Sequence, residues 1–306
     1  MPSDEGAPLP RTRSGRSLFL NLALSLRPEQ WTKNLFVFAA LVFAQRLNDP
    51  SAVLKAALAF VVFCALSGAV YLVNDVTDRE QDSRHPVKAK RPIAAGAVSS
   101  SAALSVAAGL GAAGLAVAFA LGWPFFAVSS AYLVLLLAYS AFLKRFVILD
   151  VLTIALGFVL RAAAGAAAIF VPMSQWLLVC TLLLALFIAL SKRRHELTLL
   201  STTATHHRAS LGEYTQSLLD QMISVVTAST VVAYAFYTIS PETTAKFGTT
   251  LLSLTIPFPL YGIFRYLYLV HRRDLGGSPA EVLLNDRPLL VCVALWAVAV
   301  ILIIYR

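Results

Sequence analysis

Apolar residues along the chain fall into runs that are separated by short polar segments. The runs cover residues 34–47, 52–73, 99–121, 124–143, 149–171, 175–191, 216–239, 248–270 and 287–305. A helix needs about 20 mostly apolar residues to cross a bilayer, and every run except the first approaches that length. The pattern therefore predicts an all-α integral membrane protein, with a single bundle of about nine transmembrane helices over residues 18–306.

The segment before the first run has a different character. Residues 1–17 are rich in Pro, Ser, Gly and Arg and contain no apolar run. A signal peptide would need an apolar stretch and a cleavage site, and neither follows directly. We expect a disordered tail on the cytoplasmic side of the membrane.

Composition and charge sharpen this picture. The chain is 58% apolar and only 13% charged, which excludes a soluble globular domain. The net charge is +9, but the basic residues lie in the gaps between apolar runs, so we expect no nucleic-acid partner. The segment before the first run and the gaps after even-numbered runs hold 19 of the 25 Lys and Arg residues. The positive-inside rule then predicts a multi-pass protein of the plasma (inner) membrane, with the N-terminus and the active site in the cytoplasm and the C-terminus outside.

An acidic motif, Asn74-Asp75-Val76-Thr77-Asp78, follows the second run, and Asp82 comes four residues later. Asp75, Asp78 and Asp82 have the spacing i, i+3, i+7, which places them on one face of a helix. Carboxylate and amide oxygens are the ligands that Mg²⁺ prefers. We predict a Mg²⁺ site on Asn74, Asp75 and Asp78, with Asp82 contributing through water or a second ion. The alternative is a solvated acidic helix end.

Basic residues follow the acidic motif at once, among them Lys88 and Arg91. A metal site beside charge-assisted donors suits a diphosphate group. The alternative is simple orientation charge, which any single residue of this loop could supply.

These motifs resemble the UbiA superfamily of intramembrane prenyltransferases, through N-D-x-x-D-x-x-x-D after the second span and R-P-I-A-x-G at residues 91–96. Segments 27–34, 139–146 and 157–162 are similar to its decaprenyl-phosphate phosphoribosyltransferase branch. The resemblance implies Mg²⁺-dependent transfer of 5-phosphoribosyl from phosphoribosyl diphosphate to a polyprenyl (decaprenyl) phosphate. Such a reaction supplies arabinan precursors for the cell wall.

One departure from the wider superfamily supports that branch. Aromatic prenyltransferases of this fold carry a second Asp-rich motif between spans six and seven, whereas this chain has Lys192, Arg193 and Arg194 there. Cations suit a lipid phosphate that is held directly rather than through a metal. Orientation charge alone is the alternative for these residues.

Other candidate residues stand near the predicted span ends. Lys144 closes the fourth span, and either Tyr139 or Ser140 could accompany it in the substrate site. Asp150 opens the fifth span and could orient Lys144 or a ribose hydroxyl, or simply favour the helix dipole. We expect Lys144, with Asp75 and Asp78, to act catalytically.

Three more polar residues lie deeper along the predicted helices. Arg161 falls about halfway along the fifth span, where a charge is costly and must face a partner or a substrate phosphate. Lys33 and Asn34 stand at the mouth of the first span and could reach a phosphate. An interfacial role is equally open for both.

Two other functions compete with phosphoribosyl transfer. One is a prenyltransferase that moves an isoprenoid from a prenyl diphosphate to an aromatic or other acceptor. The other is a transporter, which the gathering of charge at one membrane face makes less favourable.

Overall fold

The computed structural model describes residues 17–84, 87–199, 209–273, 282 and 285–306, and within these ranges the chain forms helices and no strands. The predicted tail lies outside the described residues except for Ser17. The α-helices are α1 (Leu18–Ser25), α2 (Ala39–Phe43), α3 (Pro50–Thr77), α4 (Arg79–Ser83), α5 (Ser100–Leu121), α6 (Trp123–Ala141), α7 (Leu149–Ala168), α8 (Gln175–Leu199), α9 (Gln216–Ile239), α10 (Pro241–Phe247), α11 (Pro257–Arg273) and α12 (Arg287–Ile304). Short 3₁₀ helices cover Pro28–Phe38, Lys88–Lys90, Leu143–Arg145, Ala209–Glu213 and Leu251–Thr255.

The number of spans differs from the prediction. Within the described residues, seven helices (α3, α5 to α9 and α12) are long and apolar enough to cross a bilayer. Helix α10 and the segment Leu251–Val270 form a pair bent by 105°, which would make an eighth span if counted as one. The count of about nine is therefore not confirmed.

The predicted first span, 34–47, is not one α-helix. It begins as the 3₁₀ helix Pro28–Phe38 and continues as α2. A 3₁₀ helix rises about 2.0 Å per residue against 1.5 Å in an α-helix, so fewer residues cover the same depth. Arg27 lies beside Asp75 near the end of α3, whereas the amide of Gln45 donates to the carbonyl of Ile304 at 2.6 Å, at the end of α12. This segment therefore runs the length of the bundle.

Close approach between this 3₁₀ helix and α7 depends on Gly165. A Cβ atom at Gly165 would lie 1.9 Å from the carbonyl oxygen of Val37, so only glycine fits there. Small residues in membrane helices allow backbones to approach in this way. The contact brings Lys33 and Asn34 against the middle of the bundle.

The central helix α3 begins and ends at polar residues. Asp49 caps its first turn by accepting from the amides of Ser51 and Ala52 at 3.0 and 3.2 Å, and Pro50 occupies the first helical position. Asp78 is the C-terminal cap, and its amide donates to the carbonyl of Asn74 at 2.9 Å. The acidic motif is thus the end of a central, enclosed helix.

Candidate functional site

The acidic residues do not lie on one continuous helix, because α3 ends at Thr77 and α4 begins at Arg79. The single helix that the spacing predicted is therefore two helices that meet at Asp78. The break divides the oxygen-bearing side chains into two pairs, one of Asp75 with Asp82 and the other of Asn74 with Asp78. Each pair is bridged by a single cation.

Arg91 bridges the first pair. Its Nη1 atom donates to Asp82 Oδ2 at 2.5 Å and to Asp75 Oδ1 at 3.2 Å. The ammonium of Lys88 lies 3.9 Å from the other oxygen of Asp82. Both carboxylates are buried. The basic loop that the sequence singled out therefore does contact the acidic motif.

Lys144 bridges the second pair from a distant part of the chain. Its ammonium donates to Asp78 Oδ1 at 2.5 Å and to Asn74 Oδ1 at 3.4 Å. The 3₁₀ helix Leu143–Arg145 presents this lysine after α6 ends. The structure thus brings Lys144 to the acidic motif.

We call Asn74, Asp75, Asp78 and Asp82 the acidic cluster. Arg27 also contacts this cluster, although the sequence did not predict it as a site residue. Its Nη2 atom donates to Asp75 Oδ1, the oxygen that Arg91 also contacts, and its guanidinium lies 4.9 Å from the ring centroid of Tyr71. Arg27 has a left-handed backbone with φ of 54°, an uncommon conformation for a non-glycine residue. The resemblance of segment 27–34 to the family is the sequence feature that could have identified Arg27 as a site residue.

The donor set fits a magnesium ion that is shared with a substrate. Asn74, Asp75, Asp78 and Asp82 offer only amide and carboxylate oxygens, the chemistry that Mg²⁺ takes. Among the described residues no three acidic, His or Cys side chains converge on one point. Mg²⁺ usually keeps one or two carboxylates and fills its octahedron with water and phosphate oxygens, so two pairs of oxygens are sufficient.

Ser140 and Tyr139 differ in their surroundings. The hydroxyl of Ser140 donates to the carbonyl of Leu136 in its own helix at 3.0 Å and is buried. Tyr139 interacts electrostatically with Arg193 at the end of α8. Ser140 is therefore occupied by its own helix, and of the two Tyr139 faces the neighbouring charged residues.

Asp150 and Arg193 form a separate, fully enclosed ion pair. Arg193 Nε donates to Asp150 Oδ2 at 2.8 Å, and Arg193 Nη1 donates to Glu196 at 2.6 Å. The hydroxyl of Tyr214 donates to Asp150 Oδ1 at 2.8 Å and accepts from the amide of Ile148 at the same distance. Burial raises the pKa of Tyr214, which keeps it a donor. We call Asp150, Arg193, Glu196 and Tyr214 the buried clamp.

The clamp changes how two sequence candidates are interpreted. Both oxygens of Asp150 accept from clamp residues, and Arg193 donates to two carboxylates. Arg194 is also paired, since its Nε donates to Asp220 of α9 at 2.5 Å. Their first role is to join α7, α8 and α9 at one end of the bundle.

Arg161 and Asn34 are partners of each other. Arg161 Nε donates to Asn34 Oδ1 at 2.8 Å, and its two other nitrogens donate to the Gly157 carbonyl at 3.0 Å and the Tyr132 hydroxyl at 2.7 Å. Asn34 in turn donates to Ser67 Oγ at 3.2 Å. This network ties α7 to the 3₁₀ helix and to α3. It satisfies the requirement that a charge at this depth have partners.

Lys33 lies next to that network among other cations. Lys33 is half-buried, and Lys192, Arg161 and Arg27 lie close enough to repel its positive charge. The ammonium of Lys192 lies 4.0 Å from a carboxylate oxygen of Glu196. An anion bound here would offset the repulsion between the cations. We call Lys33 and Lys192 the cationic position.

Comparisons with known proteins place the chain among membrane transferases. The model of the UbiA prenyltransferase family matches residues 34–285. The decaprenyl-phosphate phosphoribosyltransferase of Mycolicibacterium smegmatis is 33% identical over 296 residues, which cover 92% of this chain and 91% of that protein. The protein of the same name from Mycobacterium tuberculosis is 34% identical over 293 residues, covering 94% of this chain and 96% of its own.

A solved structure has the same fold. The UbiA homologue from Archaeoglobus fulgidus bound to GPP and Mg²⁺ superposes with a TM-score of 0.73, covering 95% of this chain and 100% of that one. The two sequences are 20% identical, so the likeness concerns the fold alone. It confirms the predicted all-α membrane bundle.

Proposed function

The chain belongs to the UbiA prenyltransferase family and is a multi-pass membrane transferase; we propose that it moves 5-phosphoribosyl from phosphoribosyl diphosphate to a polyprenyl (decaprenyl) phosphate and releases diphosphate. The observation that carries the proposal is the likeness, over more than nine-tenths of the chain, to relatives named for that reaction. The arrangement of charge agrees with it, since one acidic cluster stands beside one cationic position.

The acidic cluster is the donor side of the proposed reaction. Asn74, Asp75 and Asp78 would hold Mg²⁺, and Asp82 would support them through water or a second ion. When bound, the ion would neutralise negative charge on the leaving diphosphate. Lys88, Arg91 and Lys144 border the same carboxylates and would donate to the leaving diphosphate or the 5-phosphate.

Bond breaking at C1 of the ribose is expected to have oxocarbenium character, as in other glycosyl transfers. The nucleophile is the phosphate oxygen of the lipid, which is already anionic. A strong general base is therefore not required. The work of the protein is to align two phosphorylated substrates and to neutralise the departing charge.

The acceptor phosphate would occupy the cationic position. Lys33 and Lys192 would donate to it, with Tyr139 at the edge of the site. Asn34 and Arg161 would contribute mainly by holding the 3₁₀ helix that carries Lys33. Three other candidates would support the site without contacting the substrate, because their polar atoms are bonded within the protein. These are Asp150, Arg193 and Ser140.

The proposal extends to the cellular setting. The acidic cluster and its cations would face the cytoplasm of the plasma membrane, because most basic residues lie in the gaps predicted to be inside. Phosphoribosyl diphosphate would be drawn from the cytosol, and the lipid from the membrane. The product would serve arabinan synthesis for the cell wall.

A prenyltransferase reaction is the second candidate, favoured by the structural likeness to a homologue solved with GPP and Mg²⁺. Against it, the sequence from 192 to 220 contains Glu196, Glu213 and Asp220 but no second D-x-x-x-D motif that could hold a metal ion. The test gives purified protein Mg²⁺, polyprenyl phosphate and ribose-labelled phosphoribosyl diphosphate. Label in the lipid fraction supports the proposal, whereas consumption of a prenyl diphosphate with no lipid-linked ribose would refute it.

A further inference from the structure

We propose that the site takes up its divalent cation and a diphosphate together, because Arg27 and Arg91 occupy Asp75 until a diphosphate draws them away. The inference rests on the proposed function only in requiring a diphosphate substrate. It does not depend on which group the diphosphate carries.

Competition for one oxygen atom is the first observation. Arg27 and Arg91 both donate to Asp75 Oδ1, and Arg91 also donates to Asp82. Lys144 occupies the corresponding place between Asn74 and Asp78. A metal ion cannot take these oxygens at the same point as a guanidinium or ammonium group, so the protein's own cations compete with it.

The charge balance of the cluster is the second observation. Among the described residues, three carboxylates are paired with four cations, namely Arg27, Lys88, Arg91 and Lys144. A lone divalent cation therefore enters a region that already carries excess positive charge. A diphosphate reverses that sign, and its oxygens accept from guanidinium groups in the two-pronged manner that arginine favours.

The exposed fractions of the arginine side chains show that Arg27 and Arg91 have room to move away from Asp75. The side chains of Arg27 and Arg91 are 19% and 27% exposed, whereas that of Arg193 in the buried clamp is 2% exposed. A change of rotamer at either arginine would release Asp75 and turn its donors toward solvent. Arg193 has no such freedom, so the exchange is confined to the acidic cluster.

Arg27 is therefore a positioning residue that links the two ligands. Its left-handed backbone, directly before Pro28, fixes the start of the 3₁₀ helix and aims the side chain at Asp75. Linkage is reciprocal, so a diphosphate raises the affinity for the metal by the same factor as the metal raises the affinity for diphosphate. The cation alone should bind weakly.

The experiment measures Mn²⁺ binding to the purified full chain by equilibrium dialysis, with and without inorganic diphosphate. Dialysis keeps the Mn²⁺–diphosphate complex in solution equal on both sides. Wild type should bind Mn²⁺ at least about tenfold more tightly with diphosphate, the effect of one charge-assisted bond. In Arg27→Gln, Mn²⁺ alone should bind about tenfold more tightly than in wild type, and the gain from diphosphate should shrink.

Arg145→Gln is the matched control, since Arg145 is exposed and adjacent to Lys144. It should behave as wild type. Arg91→Gln removes the other donor to Asp75 and serves if Arg27→Gln has a lowered melting temperature. Equal Mn²⁺ affinity with and without diphosphate in wild type, or unchanged Mn²⁺ affinity in both variants, would overturn the inference. Intact coupling in a protein that transfers no phosphoribosyl group would instead refute the proposed function alone.

Discussion

The acidic cluster and the buried clamp are both networks of Asp and Arg side chains, yet they differ in access to solvent. Asp75 is buried, but its partners Arg27 and Arg91 are partly exposed. Asp150 and Arg193 are 0% and 2% exposed. Pairs with a partner at the surface can exchange it for a substrate, whereas fully enclosed pairs hold helices together. We propose that exposure of the partner, rather than residue type, separates functional from structural charges in this protein.

The largest expected effect is on turnover in the acidic cluster. Asp75→Asn and Asp78→Asn should each lower kcat/KM for phosphoribosyl transfer by about a hundredfold or more, because a metal ligand is lost. The unfolding free energy should fall by less than about 2 kcal/mol, since the freed cations can turn to water. Kinetics and thermal unfolding in detergent measure both. Near-wild-type activity in either variant would remove the metal site from this cluster.

The buried clamp should respond in the opposite way. Asp150→Asn leaves Arg193 buried beside one remaining carboxylate, and breaking a buried pair costs about 3–5 kcal/mol of stability. The matched control is Asp220→Asn, which removes the 41% exposed partner of Arg194 and should cost about 0–1 kcal/mol. Melting temperatures decide between them. If Asp150→Asn kept the wild-type melting temperature but altered KM, Asp150 would belong to the substrate site instead.

A smaller effect is expected at the edge of the acidic cluster. Asp82 orients Arg91 and Lys88, so Asp82→Asn should lower kcat/KM by about tenfold, less than the loss at Asp75. Glu80→Gln changes an exposed acid of the same helix and should have no effect. If kcat/KM fell as far in Asp82→Asn as in Asp75→Asn, Asp82 would have to bind the metal ion directly, as proposed for Asp75.

The smallest effect concerns the acceptor. Lys33→Gln should raise the apparent KM for the lipid phosphate by about tenfold, the worth of one charge-assisted contact, with little change for phosphoribosyl diphosphate. Lys192→Gln should act in the same direction, and the exposed Lys90 provides the control substitution Lys90→Gln. Unchanged constants for the lipid would leave Lys33 and Lys192 as orientation charge.

Much of the site could be anticipated from local sequence. The acidic motif and the basic residues after it are only 9 positions apart at their shortest hydrogen bond, between Asp82 and Arg91, so they had to be near each other. Lys144 was a candidate because of its place at a span end, although it lies 66 residues from Asp78. The acidic motif was predicted on one helix and lies on two, because hydrophobic and polar spacing cannot reveal that α3 stops before Asp78.

Apolar runs, charge placement and the order of motifs by themselves determined that this is a helical membrane bundle. Burial of apolar residues in lipid depends on composition along the chain, which a sequence displays directly. Only the tertiary structure decided which charges meet: Arg27 with Asp75 across 48 positions, and Arg161 with Asn34 across 127. Such partners are selected by how helices pack, through contacts such as Gly165 against Val37, and packing between distant segments leaves no period in the sequence.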